Sequence, residues 1–164
     1  MVASQKYLLF ICLFLFACNP KDYLKLPSEF TAKVIAVKDG DTIEVLYDGK
    51  PIKIRFAHID CPEIRKSQPF GRAAKHFTSD MCFGQSVKVI NENEFDRYKR
   101  LIAVIVNQQN KNVNKELVSA GLAWHYKKYS TDTEYDELET AAKASKIGLW
   151  TEENPTPPWE WRHP

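Results

Sequence analysis

Phe30-Thr31-Ala32-Lys33-Val34-Ile35-Ala36-Val37, Asp39-Gly40, Thr42-Ile43-Glu44-Val45-Leu46-Tyr47, Asp48-Gly49-Lys50 and Ile52-Lys53-Ile54-Arg55-Phe56-Ala57-His58-Ile59 follow one another almost without a break. Each long run is rich in β-branched residues and alternates roughly between apolar and polar, as a strand with one buried face requires. Each Asp-Gly is a tight-turn dipeptide. The stretch therefore predicts a three-stranded meander, with Arg55 and Asp60 near the end of its third strand.

Beyond it the period changes. Ala73, Ala74, Phe77, Met81 and Cys82 fall at helical spacings within residues 71–83, and Gly84 closes that segment. Residues 85–91 and 101–106 return to strand character, and the charged residues 92–100 between them read as an exposed hairpin or loop. Residues 113–120 make a short helix closed by Gly121, and residues 133–146 a longer one closed by Gly148. The longer helix carries Glu134, Asp136 and Glu137 early and Lys143 and Lys146 late, which complements its dipole. Five strands, one helix after the third and two more at the end predict an α+β, mainly β fold: an OB-fold-like five-stranded barrel with three helices. A sandwich or parallel sheet fits this order less well.

The flanks have a different composition. Residues 1–18 read as an export signal, with a polar start, an apolar run over residues 7–16 and then Ala17-Cys18. The run falls short of the roughly 20 apolar residues that span a bilayer. Leu15-Phe16-Ala17-Cys18 is similar to the bacterial lipoprotein cleavage box, with Phe16 in place of the usual small residue, so Cys18 would become a lipidated first residue. This implies an exported protein, either a membrane-anchored lipoprotein or a periplasmic or extracellular one. Residues 19–29 form a polar linker and residues 30–150 one domain. Residues 151–164, with Pro155, Pro157, Pro158, Pro164, Trp159 and Trp161, form an extended tail packed on the surface or left free. Cys12 would leave with the signal, so only Cys61 and Cys82 remain inside the domain, and they read as two separate thiols rather than a disulfide.

The bulk numbers exclude little. The 164 residues are 44% apolar and 27% charged, which suits one ordered domain, with a monomer as the prior, and argues against disorder. A net charge of +2 does not announce a nucleic-acid binder, so any such affinity has to come from a local basic cluster. There is no internal repeat and no Gly-rich phosphate loop.

Chemistry-bearing residues stand in a definite order: Asp41, then Arg55, then Asp60-Cys61-Pro62-Glu63, then Asp96-Arg97-Tyr98-Lys99-Arg100. Each motif alone has an ordinary explanation as a turn, a strand end or a solvated charge. Together they supply what phosphodiester hydrolysis needs. Carboxylates can hold a hard cation, a further carboxylate can activate water, and two guanidinium forks can grip a phosphoryl group.

The order D-G-D-T, R, D-x-P-E, D-x-Y-x-R, G-L-A and a terminal helix ending G-L-W resembles the staphylococcal nuclease (thermonuclease-like) family from about residue 30 to residue 150. The resemblance implies an OB-type barrel that hydrolyses DNA and RNA with calcium and leaves 3′-phosphate ends. It further implies that Asp41, Asp60 and the main-chain carbonyl of Cys61 hold the calcium ion, that Glu63 orients or deprotonates water, and that Arg55 and Arg100 bind the scissile phosphate. Asp39 matches an acid behind the metal ligands. This chain departs from the family pattern in having Cys61 where Thr or Ala is frequent, Lys99 where Gly precedes the second arginine, and a short segment over residues 64–70.

For substrate grip, the chain interleaves bases and rings at Arg97, Tyr98, Trp124, His125, Tyr126, Lys127, Lys128 and Tyr129. Arg97, Tyr98 and Tyr129 are the candidates for nucleic-acid binding. Trp124 and Tyr126 read rather as packed behind a helix, and His58, flanked by apolar residues, as a core or barrel-edge residue. Two other readings stand beside the nuclease: a non-catalytic binding module of the same fold, and a surface lipoprotein that binds an envelope partner through its Trp-rich tail.

Overall fold

The computed structural model describes residues 26–163, so the expected signal and Cys18 lie outside the described residues. Strands β1 (Glu29–Asp39), β2 (Thr42–Tyr47) and β3 (Lys50–Phe56) form the expected meander. Asp48 and Gly49 between β2 and β3 both take positive φ, 47° and 70°, which is what a two-residue hairpin turn matched to strand twist requires. After a two-residue strand β4 (Ile59–Asp60) come helix α1 (Gly71–Cys82) and strands β5 (Ser86–Phe95) and β6 (Leu101–Val106). Helix α2 (Val113–Ser119), strand β7 (Trp124–His125), helix α3 (Thr133–Ala144), a 3-10 turn (Gly148–Thr151) and a short helix α4 (Pro158–Trp161) complete the chain.

Five strands close into a barrel in the order β1-β2-β3-β6-β5, with β5 paired back to β1. All pairings are antiparallel except β3 with β6, which run parallel from Ile54↔Leu101 to Phe56↔Ala103. Val34, Ile43, Val45, Ile54, Val89, Leu101 and Ile105 are fully buried inside. At roughly 1.5–3 kcal/mol for each buried aliphatic side chain, this interior is the main source of stability. The expected barrel with three longer helices is therefore present, with α4 and the 3-10 turn in addition.

Three expectations need correction. The third strand ends at Phe56 instead of running to Ile59, His58 takes a φ of 69°, and Ile59 and Asp60 pair instead with His125 and Trp124 in a separate two-stranded sheet. The reason lies in α2: Asn114 Nδ2 donates to the carbonyls of Ala57 (3.1 Å) and Ala103 (3.2 Å), its Oδ1 accepts from Ile105 N (3.1 Å), and the chain is drawn off the barrel wall. Secondly, β5 runs on to Phe95 through an irregularity at Asn93, whose φ is 59°, leaving only residues 96–100 as the turn. Thirdly, the tail is not merely extended, because α4 packs back on the domain with Pro158 buried. Cys61 and Cys82 are both free and buried, as two separate thiols.

Asn114 is completely buried, and its removal would orphan the Ala57 carbonyl and the Ile105 amide, while the Ala103 carbonyl would keep its bond from Ala57 N at 2.8 Å. Asn114→Ala is expected to destabilise the protein by about 2–4 kcal/mol. Equilibrium denaturation checks this, and a loss below about 1 kcal/mol would show that the side chain does not pin the β3–β6 seam.

The C-terminal end is fastened by a close approach of two glycines. Gly148 has a φ of 57°, and a Cβ there would lie 2.1 Å from the Gly121 carbonyl oxygen, which accepts from Leu149 N at 2.8 Å. No other residue fits that contact. It brings the Trp150 ring to 4.4 Å from that of Trp124.

Candidate active site

Asp41 sits in the two-residue turn between β1 and β2, one residue after Gly40. A Cβ on Gly40 would come within 2.7 Å of the Ala74 Cβ and 2.9 Å of the Cys61 Cβ, so glycine alone lets this turn nest against α1 and residue 61. Thr78 Oγ1 donates to the Gly40 carbonyl at 2.5 Å and fixes it there. Buried Asp41 accepts from the Thr42 hydroxyl (3.0 Å) on Oδ1 and from Cys61 N (2.7 Å) on Oδ2, which also forms an ion pair with Arg55 Nη1 at 3.0 Å.

Arg55, on β3, bridges two carboxylates: its Nη1 meets Asp41, and its Nη2 donates to Asp60 Oδ1 at 2.6 Å. Asp60 is 1% exposed and reaches this point because the chain leaves the barrel after Phe56. Burial pushes its carboxyl above the usual range, and Arg55 and Arg162 pull it back. Burial likewise opposes the Arg55 charge, which Asp41 and Asp60 together hold firmly in place. Asp39 is not part of the hydrogen-bonded cluster. Burial and then the neighbouring Asp41 charge lift its carboxyl to about 7, as befits an acid behind the first carboxylates.

Glu63 stands at the rim, half-buried, and Gln68 fixes its backbone: Glu63 N donates to Gln68 Oε1 at 2.9 Å, and Gln68 N to the Glu63 carbonyl at 3.0 Å. Arg100 joins from the other side. Asp96 Oδ1 accepts from Tyr98 N and Arg100 N, both at 2.9 Å, and its Oδ2 accepts from Arg100 Nε at 2.7 Å. This leaves Arg100 Nη1 donating to Thr42 Oγ1 at 3.1 Å, so the hydroxyl of Thr42 links Arg100 to Asp41. Asp41, Arg55, Asp60, Cys61, Glu63 and Arg100 thus converge, Glu63 through a residue the sequence did not single out.

That residue is Arg162, from the C-terminal tail. Its Nη2 donates to Asp60 Oδ2 at 2.7 Å, and its Nη1 to Glu63 Oε1 at 2.6 Å and to Asp60 Oδ1 at 3.2 Å. Burial opposes the Arg162 charge, and hydrogen bonds to Asp60 and Glu63 outweigh it and raise the pKa. Nothing in the sequence of a Pro- and Trp-rich end places its arginine 102 residues back along the chain.

The donor chemistry fits a hard cation. Asp41 and Asp60 are acceptor-only oxygens taken out of water and already balanced by guanidinium charge. The Cys61 thiol is buried and pushed well above its usual pKa, first by burial and then by Asp41, so it offers no soft thiolate. Among the described residues no three His, Cys, Asp or Glu side chains gather around one point, and a ligand set of two carboxylates and a main-chain carbonyl would not produce such a group.

A match to the family model described as "Staphylococcal nuclease homologue" covers residues 53–152, more than half of the chain. The chain belongs to the staphylococcal nuclease family. Family relatives include an "Uncharacterized endonuclease" of Haemophilus influenzae, 43% identical over 133 residues that cover 80% of this chain and 72% of that one. An "Uncharacterized endonuclease" of Escherichia coli O157:H7 is 38% identical over 84% of this chain and 88% of its own. The "Micrococcal nuclease" of Shigella flexneri is 37% identical over 82% of each. The protein is thus a nuclease of that family, a phosphodiester hydrolase.

The remaining candidates lie outside the hydrogen-bonded cluster. Tyr98 and Tyr129 are 63% and 67% exposed, with Arg97 4.9 Å above the Tyr98 ring and Lys128 5.5 Å above that of Tyr129. Trp124 and Tyr126 are half-buried, Trp124 against Ala142 and Lys143 of α3 and both under α4: Tyr126 stacks on Trp159 at 5.1 Å with the planes 3° apart, and Trp124 meets the same ring edge-on at 5.8 Å. His58 Nδ1 lies 3.0 Å from Ser130 Oγ beside the Tyr135 ring, a packing role away from the carboxylates.

Lys99 shows why the family has glycine at its position. Its φ is 60°, in the left-handed region that costs a residue with a side chain about 1–2 kcal/mol. Lys99→Gly is therefore expected to raise stability by up to about 1 kcal/mol, the relief being partly offset by the greater freedom of unfolded glycine. A melting temperature that falls in the variant would contradict this.

Proposed function

We propose that this nuclease is calcium-dependent and of low sequence specificity, that it hydrolyses both DNA and RNA, and that its products carry 3′-phosphates. The observation that carries the reading is the bridge of Arg55 between Asp41 and Asp60, 3.0 and 2.6 Å long, with Glu63 beside Asp60 at the rim. Two buried carboxylates joined by one guanidinium form a compact anionic cradle, and Cys61, the residue after Asp60, is tied to it through its backbone N–H donating to Asp41 at 2.7 Å.

In this reading Asp41, Asp60 and the Cys61 carbonyl hold calcium, which supplies a fixed positive charge against the phosphate. Glu63 accepts a proton from the attacking water. The water oxygen bonds to phosphorus, the P–O5′ bond breaks, and the proton balance is restored at the departing 5′ oxygen. Arg55 and Arg100 face the charge that grows on the phosphoryl oxygens in the five-coordinate transition state. Tyr98 and Tyr129, with Arg97, provide ring faces and cations that hold bases and backbone without reading sequence, which suits both nucleic acids.

The test is digestion of end-labelled single-stranded DNA and RNA by the purified protein, in calcium and in excess chelator, with the ends of the products identified. Cleavage of both polymers in calcium alone, giving 3′-phosphates, is the expected result. Cleavage that persists in chelator rejects the cation, and 5′-phosphate products reject the direction of attack. The non-catalytic binding module, which the retained acids and arginines oppose, would bind DNA without cutting it.

A further inference from the structure

The tail is anchored at four separate places over the candidate site. Gln68, the side chain that fixes the Glu63 backbone, donates through Nε2 to the Thr156 carbonyl at 2.7 Å. Lys66 Nζ donates to the Arg162 carbonyl at 3.0 Å. The Trp159 ring lies flat on Tyr126, and Pro158 is buried. Helix α4 then turns the chain so that the Arg162 fork points inward onto Asp60 and Glu63.

The choice of atoms is informative. Asp60 Oδ1 is shared with Arg55, but Oδ2 has Arg162 as its only hydrogen-bond partner among the described residues, and so does the Glu63 carboxylate. These are the oxygens that a cation and an attacking water would need. A guanidinium donates only and cannot bridge an oxygen to a cation, so it and calcium are alternatives at this place. Without such a partner, Asp60 would be a buried carboxylate beside Asp41 with one guanidinium between them.

We propose that residues 157–163 form an autoinhibitory plug in which the Arg162 guanidinium and calcium compete for Asp60 and Glu63. The plug holds the carboxylates in place while no cation is bound, and calcium opens the site by displacing it. The apparent calcium affinity is then the intrinsic one reduced by the fraction of molecules with the plug withdrawn. The covering of Tyr126 and Trp124 by Trp159 means that the same movement exposes two aromatic faces next to the site. The proposal rests on the reading of Asp60 as a calcium ligand.

Calcium titration by calorimetry, on the wild-type protein and on Arg162→Gln, Trp159→Ala and Asp60→Asn variants, tests it without any activity measurement. A plug docked in nine molecules of ten gives about tenfold tighter calcium binding once it is released, in both Arg162→Gln and Trp159→Ala. The second variant matters because it loosens docking without removing a positive charge, so a merely electrostatic effect of Arg162 would leave it unchanged. Hydrogen exchange should show the hydrogen-bonded amides of residues 160–163 losing protection when calcium is added to the wild type. Unchanged affinity in Trp159→Ala together with unchanged tail protection overturns the plug, and if Asp60→Asn still abolishes binding, the ligand reading survives that result. Calcium binding that persists in Asp60→Asn, or that is absent from every variant, overturns both.

Discussion

Glu63→Gln is expected to lower turnover on single-stranded DNA by about 10²–10⁴-fold, the usual contribution of a positioned general base. The substitution keeps the size of the side chain and an oxygen that can still accept from Arg162, and it leaves the backbone contacts with Gln68 untouched. What disappears is the capacity to take a proton. Because the side chain lies at the rim and not in the core, stability should change by less than about 1 kcal/mol, and affinity for uncleaved DNA should hold. Single-turnover cleavage in calcium, read beside DNA binding in chelator, separates the two effects. A rate within threefold of wild type would remove Glu63 from the proton transfer and leave it a charge at the rim.

How far the sequence reaches depends on how local each determinant is. The meander over residues 30–56 was legible because β alternation and the two Asp-Gly signals act within a few residues of one another, although the first turn itself is Gly40-Asp41, with Asp39 still paired in β1. Helices α1, α2 and α3 were legible by period and by their closing residues, although α3 stops at Ala144 and passes its left-handed position to Lys146 before Gly148. The break after Phe56 was not, because it depends on Asn114, more than fifty residues later, capturing the Ala57 carbonyl. In the site, Asp41, Arg55, Asp60, Glu63 and Arg100 could be named from order and residue type. Their connections could not: Thr42 as the link to Arg100, Gln68 as the brace of Glu63 and Arg162 as the partner of two acids are contacts across 58, 5 and about 100 positions. Gln68 and Arg162 are polar residues in segments of no regular pattern, so only three-dimensional proximity gives them meaning.

The two arginines are expected to respond differently to the same substitution. Arg55 is 14% exposed at its side chain and binds both Asp41 and Asp60, along with the Phe56 carbonyl at 3.2 Å. A lysine keeps the charge but delivers it from one point, so Arg55→Lys leaves one buried carboxylate short of a partner. The expected cost is on the order of 1–3 kcal/mol in the calcium-free protein, in addition to a loss of turnover. Arg100 has a different setting. Asp96 holds its Nε and backbone from a turn at the barrel's edge, and the guanidinium reaches inward only as far as the Thr42 hydroxyl. Arg100→Lys should therefore leave the melting temperature almost unchanged and lower turnover by about 10²–10³-fold, the effect of removing one well-placed donor to transition-state charge. Melting in chelator and kcat in calcium, measured on both variants, separate a residue that builds the cradle and acts in it from one that acts alone. Equal melting temperatures would show that the Arg55 bridge does not organise the carboxylates, and an unchanged kcat in Arg100→Lys would take Arg100 out of phosphate recognition.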